Sequence, residues 1–234
     1  METNEPAIPA HLNFITIEGV IGVGKTTFCD LLATRWNARR IQEAVNDNPF
    51  LPRFYQDRAA FAFQTQLWFL LSRYRQLSEA VAQQDLFHRI TISDYMFAKD
   101  RIFANINLDD DELQLYNHVA NILEKQVPRP DLVVYLQAST EVLLRRIAKR
   151  GRPFEFNMDP GYIALVNEAY NHFFFHYERS PLLVVNTDEV DFVSDQTDLA
   201  DIVTQIENAR PGVTWYQPLR SRDKATIKSR RPPS

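Results

Sequence analysis

The sequence predicts an α/β fold in which five parallel strands form a sheet that is flanked by helices. Short apolar segments alternate along the chain with longer segments of helical periodicity, and strands separated in this way pair in parallel. The run at 132–136 is apolar at every position, as is typical of a strand covered on both faces. Glycine is scarce, with six residues, and three of them lie within 19–24. Such a cluster marks a place where the backbone turns tightly or approaches a ligand.

Each predicted element has a local signal. The strand at 12–17 precedes the glycine cluster, and the helix at 26–37 carries apolar residues at helical spacing. Asp57 is a favourable N-cap for a long helix at 57–84, which has one apolar side. Four acidic residues open the predicted helix at 109–125. The remaining predicted strands are 40–43, 89–93, 132–136 and 182–186, and the remaining helices are 141–149, 162–177 and 196–208.

The composition indicates an ordinary globular domain. The chain has 234 residues, of which 45% are hydrophobic and 24% are charged. A chain of this length buries a sizeable core without disulfides or metal. No linker or internal repeat divides it, so we expect a single domain over 1–234, with a core at about 12–208 and a tail at 209–234.

Charge and cysteine content exclude several classes of function. The net charge of −4 offers no general attraction for nucleic acid or for an anionic membrane. The longest aliphatic and aromatic run is 67–71, far short of the roughly 20 residues that span a bilayer. Cys29 is the one cysteine, which excludes an internal disulfide and fits a reducing compartment. The first residues lack the basic and apolar regions of a signal peptide, so we expect a cytoplasmic protein.

The segment 19–26, GVIGVGKT, matches the phosphate-binding pattern G-x-x-x-x-G-K-[ST]. It lies between a predicted strand and a predicted helix, which is the context that this loop requires. Successive backbone N–H groups bind phosphate oxygens there, and the helix N-terminus adds a positive dipole. We expect Lys25 to reach the terminal phosphates and Thr26 to ligate Mg²⁺. The residues expected to contact ATP are Gly19, Gly22, Val23, Gly24, Lys25, Thr26 and Thr27.

The segment 146–152, RIAKRGR, favours a kinase over a switch protein or a motor. A kinase for small molecules must exclude water and stabilise the charge on the transferring phosphoryl group, which a mobile arginine-rich cover achieves. Arg146 and Arg150 are four residues apart and share a helical face. Gly151 follows them as a hinge. The segment is therefore predicted to be a lid.

These stretches together resemble the deoxynucleoside kinase family, which includes deoxycytidine, deoxyguanosine and deoxyadenosine kinases. The matching stretches are EGVIGVGKTT at 18–27, the region 43–57, FAFQTQLWFLLSRYRQL at 61–77, SDYMFAKDRIFA at 93–104 and LLRRIAKRGRPFE at 143–155. The resemblance implies a P-loop kinase fold with an arginine-rich lid, the use of ATP and Mg²⁺, and a homodimer. It also implies transfer of the γ-phosphate to the 5′-hydroxyl of a deoxynucleoside, with deoxyadenosine and deoxyguanosine favoured.

The resemblance further implies roles for single residues. Glu43 would accept the proton of the 5′-hydroxyl, which is a poor nucleophile near pH 7. Asp94 would serve the metal and its water shell. Gln64 would recognise the base edge, because an amide offers a donor and an acceptor in one plane. The other implied contacts are Tyr55 and Glu155 at the sugar 3′-hydroxyl, Phe61, Phe63 and Phe97 around the base, Arg73 and Asp100 at the base edge, and Arg146, Arg150 and Arg152 in the lid.

The sequence departs from the family's pattern at 93–95. Ser-Asp-Tyr stands where Glu-Arg-Ser or Asp-Arg-Ser is usual, so the arginine beside the acid is missing. Three cations are candidates to replace it, namely Arg73, Lys99 and Arg101.

Two other functions remain open at this level. A thymidylate-type nucleoside monophosphate kinase has the same fold but needs extra cations for the phosphate of its acceptor. A nucleotide-binding regulator without catalysis would be consistent with the altered segment at 93–95.

Overall fold

A six-stranded parallel sheet forms the centre of the structure, with the strand order β2-β3-β1-β4-β5-β6. The structure is a computed structural model, and it describes residues 8–82, 87–151 and 159–218. The strands are β1 (Phe14–Glu18), β2 (Arg39–Ile41), β3 (Thr91–Ser93), β4 (Leu132–Gln137), β5 (Leu182–Asn186) and β6 (Val213–Tyr216). This arrangement confirms the α/β class and the parallel sheet that the alternating pattern predicts.

Helices connect the strands. They are α1 (Lys25–Trp36), α2 (Leu51–Phe54), α3 (Arg58–Ala82), α4 (Asp100–Asn107), α5 (Asp110–Glu124), α6 (Thr140–Arg150), α7 (Pro160–Phe175) and α8 (Gln196–Glu207). Single turns of 3₁₀-helix lie at Val45–Asp47 and at Phe97–Lys99. The acids before α5 act as predicted, since Asp109 and Glu112 form a reciprocal capping box. Helices α2 and α4 have no counterpart among the predicted elements.

The predicted count of five strands is wrong by one. The sixth strand, β6, pairs with β5 at the edge of the sheet, with Leu182 opposite Val213. Its side chains alternate between exposed and half-buried, and Val213 and Trp215 face outward. A four-residue edge strand just after Pro211 and Gly212 has a weak sequence signal, because it lacks a continuous apolar run. The core therefore extends beyond residue 208, where we expected the tail to begin.

The order of the strands creates a crevice at one edge of the sheet. Strand β1 lies between β3 and β4, so the chain leaves β1 towards β2 and β3 and then crosses back to β4. In open parallel sheets, ligands bind beyond the carboxyl ends of the strands at such a reversal. Gly19, Glu43 and Asp94 follow the carboxyl ends of three neighbouring strands, β1, β2 and β3. The topology therefore brings them to one place.

Two hydrophobic clusters hold the helices around this crevice. The larger contains the sheet and packs α1, α6, α7 and α8 against it. The smaller joins α3, α4 and α5 through Leu70, Leu77, Ala104 and Tyr116, which are at most 1% exposed. Among the described residues, no helix combines the length and the apolar character that crossing a bilayer demands.

Removing β6 should destabilise the fold. A chain that ends at residue 208 loses the ladder with β5, and we expect its Tm to fall by about 2–8 °C relative to a chain that ends at residue 218. Differential scanning calorimetry of the two truncated chains measures the difference. Equal Tm values would show that β6 contributes nothing to the stability of the core.

Candidate active site

The loop between β1 and α1 has the backbone conformation of a phosphate-binding loop. Gly22 has φ +90°, and a Cβ atom there would lie 2.9 Å from the carbonyl oxygen of Leu143. A Cβ atom on Gly19 would lie 2.4 Å from the carbonyl oxygen of Leu136. Side chains are therefore excluded at both positions. Lys25 Nζ donates to the carbonyl oxygens of Gly19, at 2.5 Å, and Val20, at 3.3 Å, so the lysine lies over the loop.

Asp94 connects this loop to the segment after β2. Thr26 Oγ1 donates to Asp94 Oδ2 at 3.2 Å, and the backbone N–H of Glu43 donates to Asp94 Oδ1 at 2.8 Å. One buried carboxylate thus fixes the distance between the first turn of α1 and the backbone that carries Glu43.

The Glu43 carboxylate lies between two buried cations. Arg73 Nε donates to Glu43 Oε1 at 2.9 Å, and Lys99 Nζ donates to Glu43 Oε2 at 2.8 Å. Arg73 also forms an ion pair with Asp100, which begins α4. Burial alone would raise the pKa of Glu43, but Arg73 and Lys99 outweigh it and hold the pKa well below its usual range. Glu43 is therefore ionised at neutral pH.

A second carboxylate lies beneath the loop. Glu18, at the end of β1, is fully buried and accepts hydrogen bonds from the N–H groups of Gly19, at 3.1 Å, and Met96, at 2.7 Å. Burial raises the pKa of Glu18. Burial together with the charge of Lys99 lowers the pKa of Lys25 to about 8. The site therefore concentrates charges of both signs in a largely enclosed environment, where electrostatic interactions are strong.

A pocket of about 310 Å³ opens above these groups. The phosphate loop and the Glu43 segment form one side, and α3 and α7 form the other. Aromatic side chains make up much of its lining, namely Phe54, Tyr55, Phe69, Phe103, Tyr162 and Tyr170. Thr65 and Gln66 on α3 add polar groups among them. Pockets of this size and lining hold small organic ligands.

The structure brings most of the expected site residues into this pocket. Its lining includes Gly22, Gly24, Lys25, Thr26, Thr27, Glu43, Tyr55, Arg73, Asp94, Arg146 and Arg150. Gly19 and Val23 belong to the same loop, and Asp100 lies behind Arg73. Arg152 and Glu155, which were expected at the lid and the sugar, lie outside the described residues.

The expected base contact Gln64 is not in the pocket. Its side chain is exposed, whereas Gln66 is 3% exposed and lines the pocket. Two residues along a helix turn the side chain by about 200°, so Gln64 and Gln66 face nearly opposite directions. The helical spacing to Arg73 contained this signal, because residues 66 and 73 are two turns apart and share a face of α3.

Phe97, an expected base contact, does not line this pocket either. It is 7% exposed, packs in the smaller hydrophobic cluster and borders a separate groove near Pro128 and Arg179. It begins the 3₁₀ turn that ends at Lys99, and this turn directs Lys99 into the pocket and Phe97 away from it. Phe61 and Phe63 likewise do not line the pocket, and Phe69 and Phe103 lie there instead.

Arg146 binds protein oxygens at the edge of the phosphate loop. Its guanidinium donates to the carbonyl oxygens of Val23, at 3.2 Å, Thr187, at 2.7 Å, and Val190, at 3.4 Å. These bonds connect α6 to the loop and to the segment after β5. Any contact of Arg146 with ATP stays a prediction, whereas its support of the loop is a feature of the structure.

Two of the three cations that could replace the missing arginine reach the site. Arg73 and Lys99 both bind Glu43. Arg101 instead donates to Asn121 Oδ1 and Glu124 Oε2, on the outer side of α5. The sequence could not separate these candidates, because Lys99 and Arg101 lie between the predicted strand at 89–93 and the predicted helix at 109–125, where no predicted element sets the direction of their side chains.

Comparisons with known proteins identify chains that are similar over most of this sequence. A family model described as "Deoxynucleoside kinase" matches residues 15–209. A deoxyguanosine kinase of Bacillus subtilis is 33% identical over 198 residues, which cover 83% of this chain and 96% of the relative. A deoxyadenosine kinase of Lactobacillus acidophilus is 28% identical, covering 84% of this chain and 95% of the relative. A solved structure of a deoxyadenosine kinase from M. mycoides with bound dATP superposes with a TM-score of 0.73 at 26% identity, over 83% of this chain and 98% of that one.

The buried charge cluster should make Arg73 important for stability. Arg73→Met leaves Asp100 without its cation and Glu43 with one cation fewer, and we expect a loss of about 3–5 kcal/mol in the free energy of unfolding. Arg58→Met is the matched control on the same helix. Its ion pair with Asp159 spans 3.5 Å between half-exposed side chains, so the loss should not exceed about 1 kcal/mol. Urea unfolding measures both values, and equal losses would contradict a special role for the buried cluster.

Proposed function

Because the chain belongs to the deoxynucleoside kinase family, whose members are kinases that transfer phosphate to deoxynucleosides, we propose that it uses ATP to phosphorylate the 5′-hydroxyl of a purine deoxynucleoside. The observation that carries this proposal is the position of the ionised Glu43 carboxylate. It lies in the same pocket as the phosphate loop and the aromatic side chains of the lining. The names of the relatives, deoxyguanosine kinase and deoxyadenosine kinase, support a purine as the base.

Glu43 is proposed as the base that accepts the hydroxyl proton. A carboxylate at hydrogen-bond distance from an alcohol raises its nucleophilicity during transfer. The transfer is direct: the 5′-oxygen attacks the γ-phosphorus, the bond to the β,γ-bridging oxygen breaks, and ADP leaves. The protein contributes mainly positioning and charge stabilisation to this reaction.

Lys25 and the loop N–H groups are proposed to bind the phosphates of ATP. Lys25 is half-buried beside the loop, and α1 begins at this residue, so its helix dipole adds positive potential. Arg146, Arg150 and Arg152 are proposed to belong to the donor side of the site. Arg150 lines the pocket next to the loop, which supports that placement.

Thr26 and Asp94 are suitable ligands for Mg²⁺. Their oxygens lie 3.2 Å apart, and a hydroxyl and a carboxylate are the hard donors that this ion prefers. Within the described ranges, no group of three or more His, Cys, Asp or Glu side chains is arranged to hold a metal. This agrees with an ion that keeps waters and shares the phosphates of its substrate. Bound there, Mg²⁺ would neutralise charge on the phosphates.

The acceptor is proposed to lie beneath α3. Tyr55 would hold the sugar, with Glu155 as its expected partner. Gln66 takes the base-recognition role that was expected of Gln64, because its amide is buried among the pocket aromatics. Arg73 and Asp100 lie behind it as an ion pair that orients polar groups at the base edge.

The charge balance favours an acceptor without a phosphate. Of the cations next to Glu43, Arg73 on α3 is already held by two carboxylates, Glu43 and Asp100. A nucleoside monophosphate would compete with these carboxylates for Arg73, whereas an uncharged hydroxyl does not. This distinguishes the proposed activity from that of a thymidylate-type kinase.

A homodimer and a cytoplasmic location are part of the proposal. Helices α3 and α5 pack together and expose Leu71, Leu115 and Ile122 at about half of their surface, which supports helix packing between two copies. Cys29 is buried and free, which fits a reducing compartment.

Replacing the proposed base tests the function directly. Incubation with Mg²⁺, ATP and each deoxynucleoside should yield a 5′-monophosphate, fastest with a purine. Glu43→Gln should lower kcat by about 10²–10⁴-fold and change KM little. Because the pKa of Glu43 lies below its usual range, protonation of this carboxylate should not limit kcat/KM above about pH 5. A Lys25→Ala variant serves as the inactive control.

The outcomes of this assay separate the alternatives. Product from dTMP but not from any deoxynucleoside would identify a monophosphate kinase. Binding of ATP without any product would identify a regulator. Full activity of Glu43→Gln would remove this residue from the role of base.

The two glutamines of α3 provide a matched test of base recognition. Gln66→Ala removes a buried amide from the pocket and should lower kcat/KM for the preferred deoxynucleoside by about 10–100-fold, as expected for one lost hydrogen-bonding group. Gln64→Ala alters an exposed residue two positions away and should have no effect. Steady-state kinetics with a saturating ATP concentration measures both, and the reverse result would restore the assignment made from sequence.

A further inference from the structure

Lys99 is a buried ammonium whose hydrogen-bonding capacity is largely unused. Lys99 is 3% exposed, and it lines the pocket. An ammonium carries three N–H donors. In the part of the chain that the structure describes, Nζ makes one hydrogen bond, to Glu43 Oε2 at 2.8 Å. Two donors therefore remain available to a ligand in the pocket.

Arg73 differs from Lys99 in this respect. Its guanidinium binds Glu43 on one side and Asp100 on the other, so two carboxylates hold it in place. The face of Phe69 lies against it, with 4.7 Å between the guanidinium carbon and the ring centroid. Arg73 is thus an anchored cation that two carboxylates hold. Lys99 is held by one carboxylate, so it has to break one ion pair to move.

The fold places Lys99 at a fixed position relative to the phosphate loop. Glu18 accepts one hydrogen bond from the N–H of Gly19, where the loop begins, and another from the N–H of Met96. The N–H of Lys99 in turn donates to the carbonyl oxygen of Met96 at 3.3 Å, which closes the turn that carries it. A single buried carboxylate therefore connects the loop to the turn of Lys99.

Two ammonium groups consequently face the same part of the pocket. Lys25 and Lys99 both line the pocket, together with Glu43. Like charges that are held together in a dry site are stabilised by an anion between them. The terminal phosphate of ATP is such an anion, and the loop directs it to this place.

We propose that Lys99 is a catalytic residue, which moves from Glu43 to the oxygens of the γ-phosphoryl group during transfer and so fills the role of the arginine missing at 93–95. This inference rests on the proposed function. As the 5′-oxygen bonds to phosphorus, its proton passes to Glu43, and the electrons of the breaking bond stay with ADP. Glu43 then loses its charge and its hold on Lys99. The freed ammonium donates hydrogen bonds to the phosphoryl oxygens and transfers no proton.

Lys99→Met tests this role. In this variant Glu43 still pairs with Arg73, and Arg73 still pairs with Asp100, so we expect the fold to be retained. We expect kcat to fall by about 10³-fold, in the range found when a cation is removed from the transferring phosphoryl group. KM for ATP and for deoxyguanosine should change less than about threefold, since the cation acts mainly in the transition state. Lys99→Arg should recover part of kcat. Arg101→Met is the matched control, because this cation lies two residues away and binds Glu124 outside the pocket.

A binding measurement separates catalysis from mere structural support. Tetrafluoroaluminate with ADP mimics the transferring phosphoryl group, and its affinity should fall in Lys99→Met by about the same factor as kcat, whereas the affinity for ADP alone should not change. If kcat stays within about threefold of wild type, or if ADP and the mimic lose affinity equally, the inference is wrong. If the wild-type chain phosphorylates no deoxynucleoside, the proposed function fails, and the mimic still decides whether Lys99 binds a phosphoryl group.

Discussion

The geometry of the pocket depends on one carboxylate, that of Glu43, which stays ionised although the protein largely encloses it. Glu43 lies where three neighbouring strands end, and its two oxygens are divided between Arg73 and Lys99. Its own backbone is fixed by Asp94, which also binds the first turn of α1. Burying a carboxylate costs several kcal/mol unless partners compensate for it. The surrounding elements supply those partners: α3 contributes Arg73, the 3₁₀ turn contributes Lys99, and the loop after β3 contributes Asp94.

This arrangement explains why a long helix and an apolar cluster lie next to the pocket. Helix α3 has 25 residues and carries Arg73 and Gln66 on the face towards the pocket, while Leu70 and Leu77 fix the helix to α4 and α5. The apolar cluster therefore holds the side of the pocket that carries Arg73 and Gln66 at a constant distance from the phosphate loop. A kinase gains most of its rate from such positioning, so rigidity in this region serves the reaction.

The sequence predicted the parts of the molecule that local pattern determines. The glycine loop, the long helix and the apolar strands all have signals within a few residues, and the structure confirms them. Side-chain direction is less local. Gln64 and Gln66 lie in the same stretch of sequence. Which of the two is buried depends on which face of α3 points to the pocket, and that face carries Arg73. Phe97 and Lys99 were similarly ambiguous, because a short 3₁₀ turn after β3 directs them to opposite sides. Strand β6 lacks an apolar run because it lies at an edge. The contact between Lys99 and Glu43 joins residues that are 56 positions apart in the chain, so no local pattern predicts it.

The proposed reaction requires Glu43 to meet the acceptor hydroxyl beside the phosphate loop. A crystal structure of the chain with Mg²⁺, a non-hydrolysable ATP analogue and deoxyguanosine would show whether the two groups meet. We expect the 5′-oxygen to lie within about 2.6–3.2 Å of a Glu43 oxygen, in line with the γ-phosphorus. A 5′-oxygen that lies far from Glu43, with the carboxylate still enclosed by Arg73 and Lys99, would contradict it.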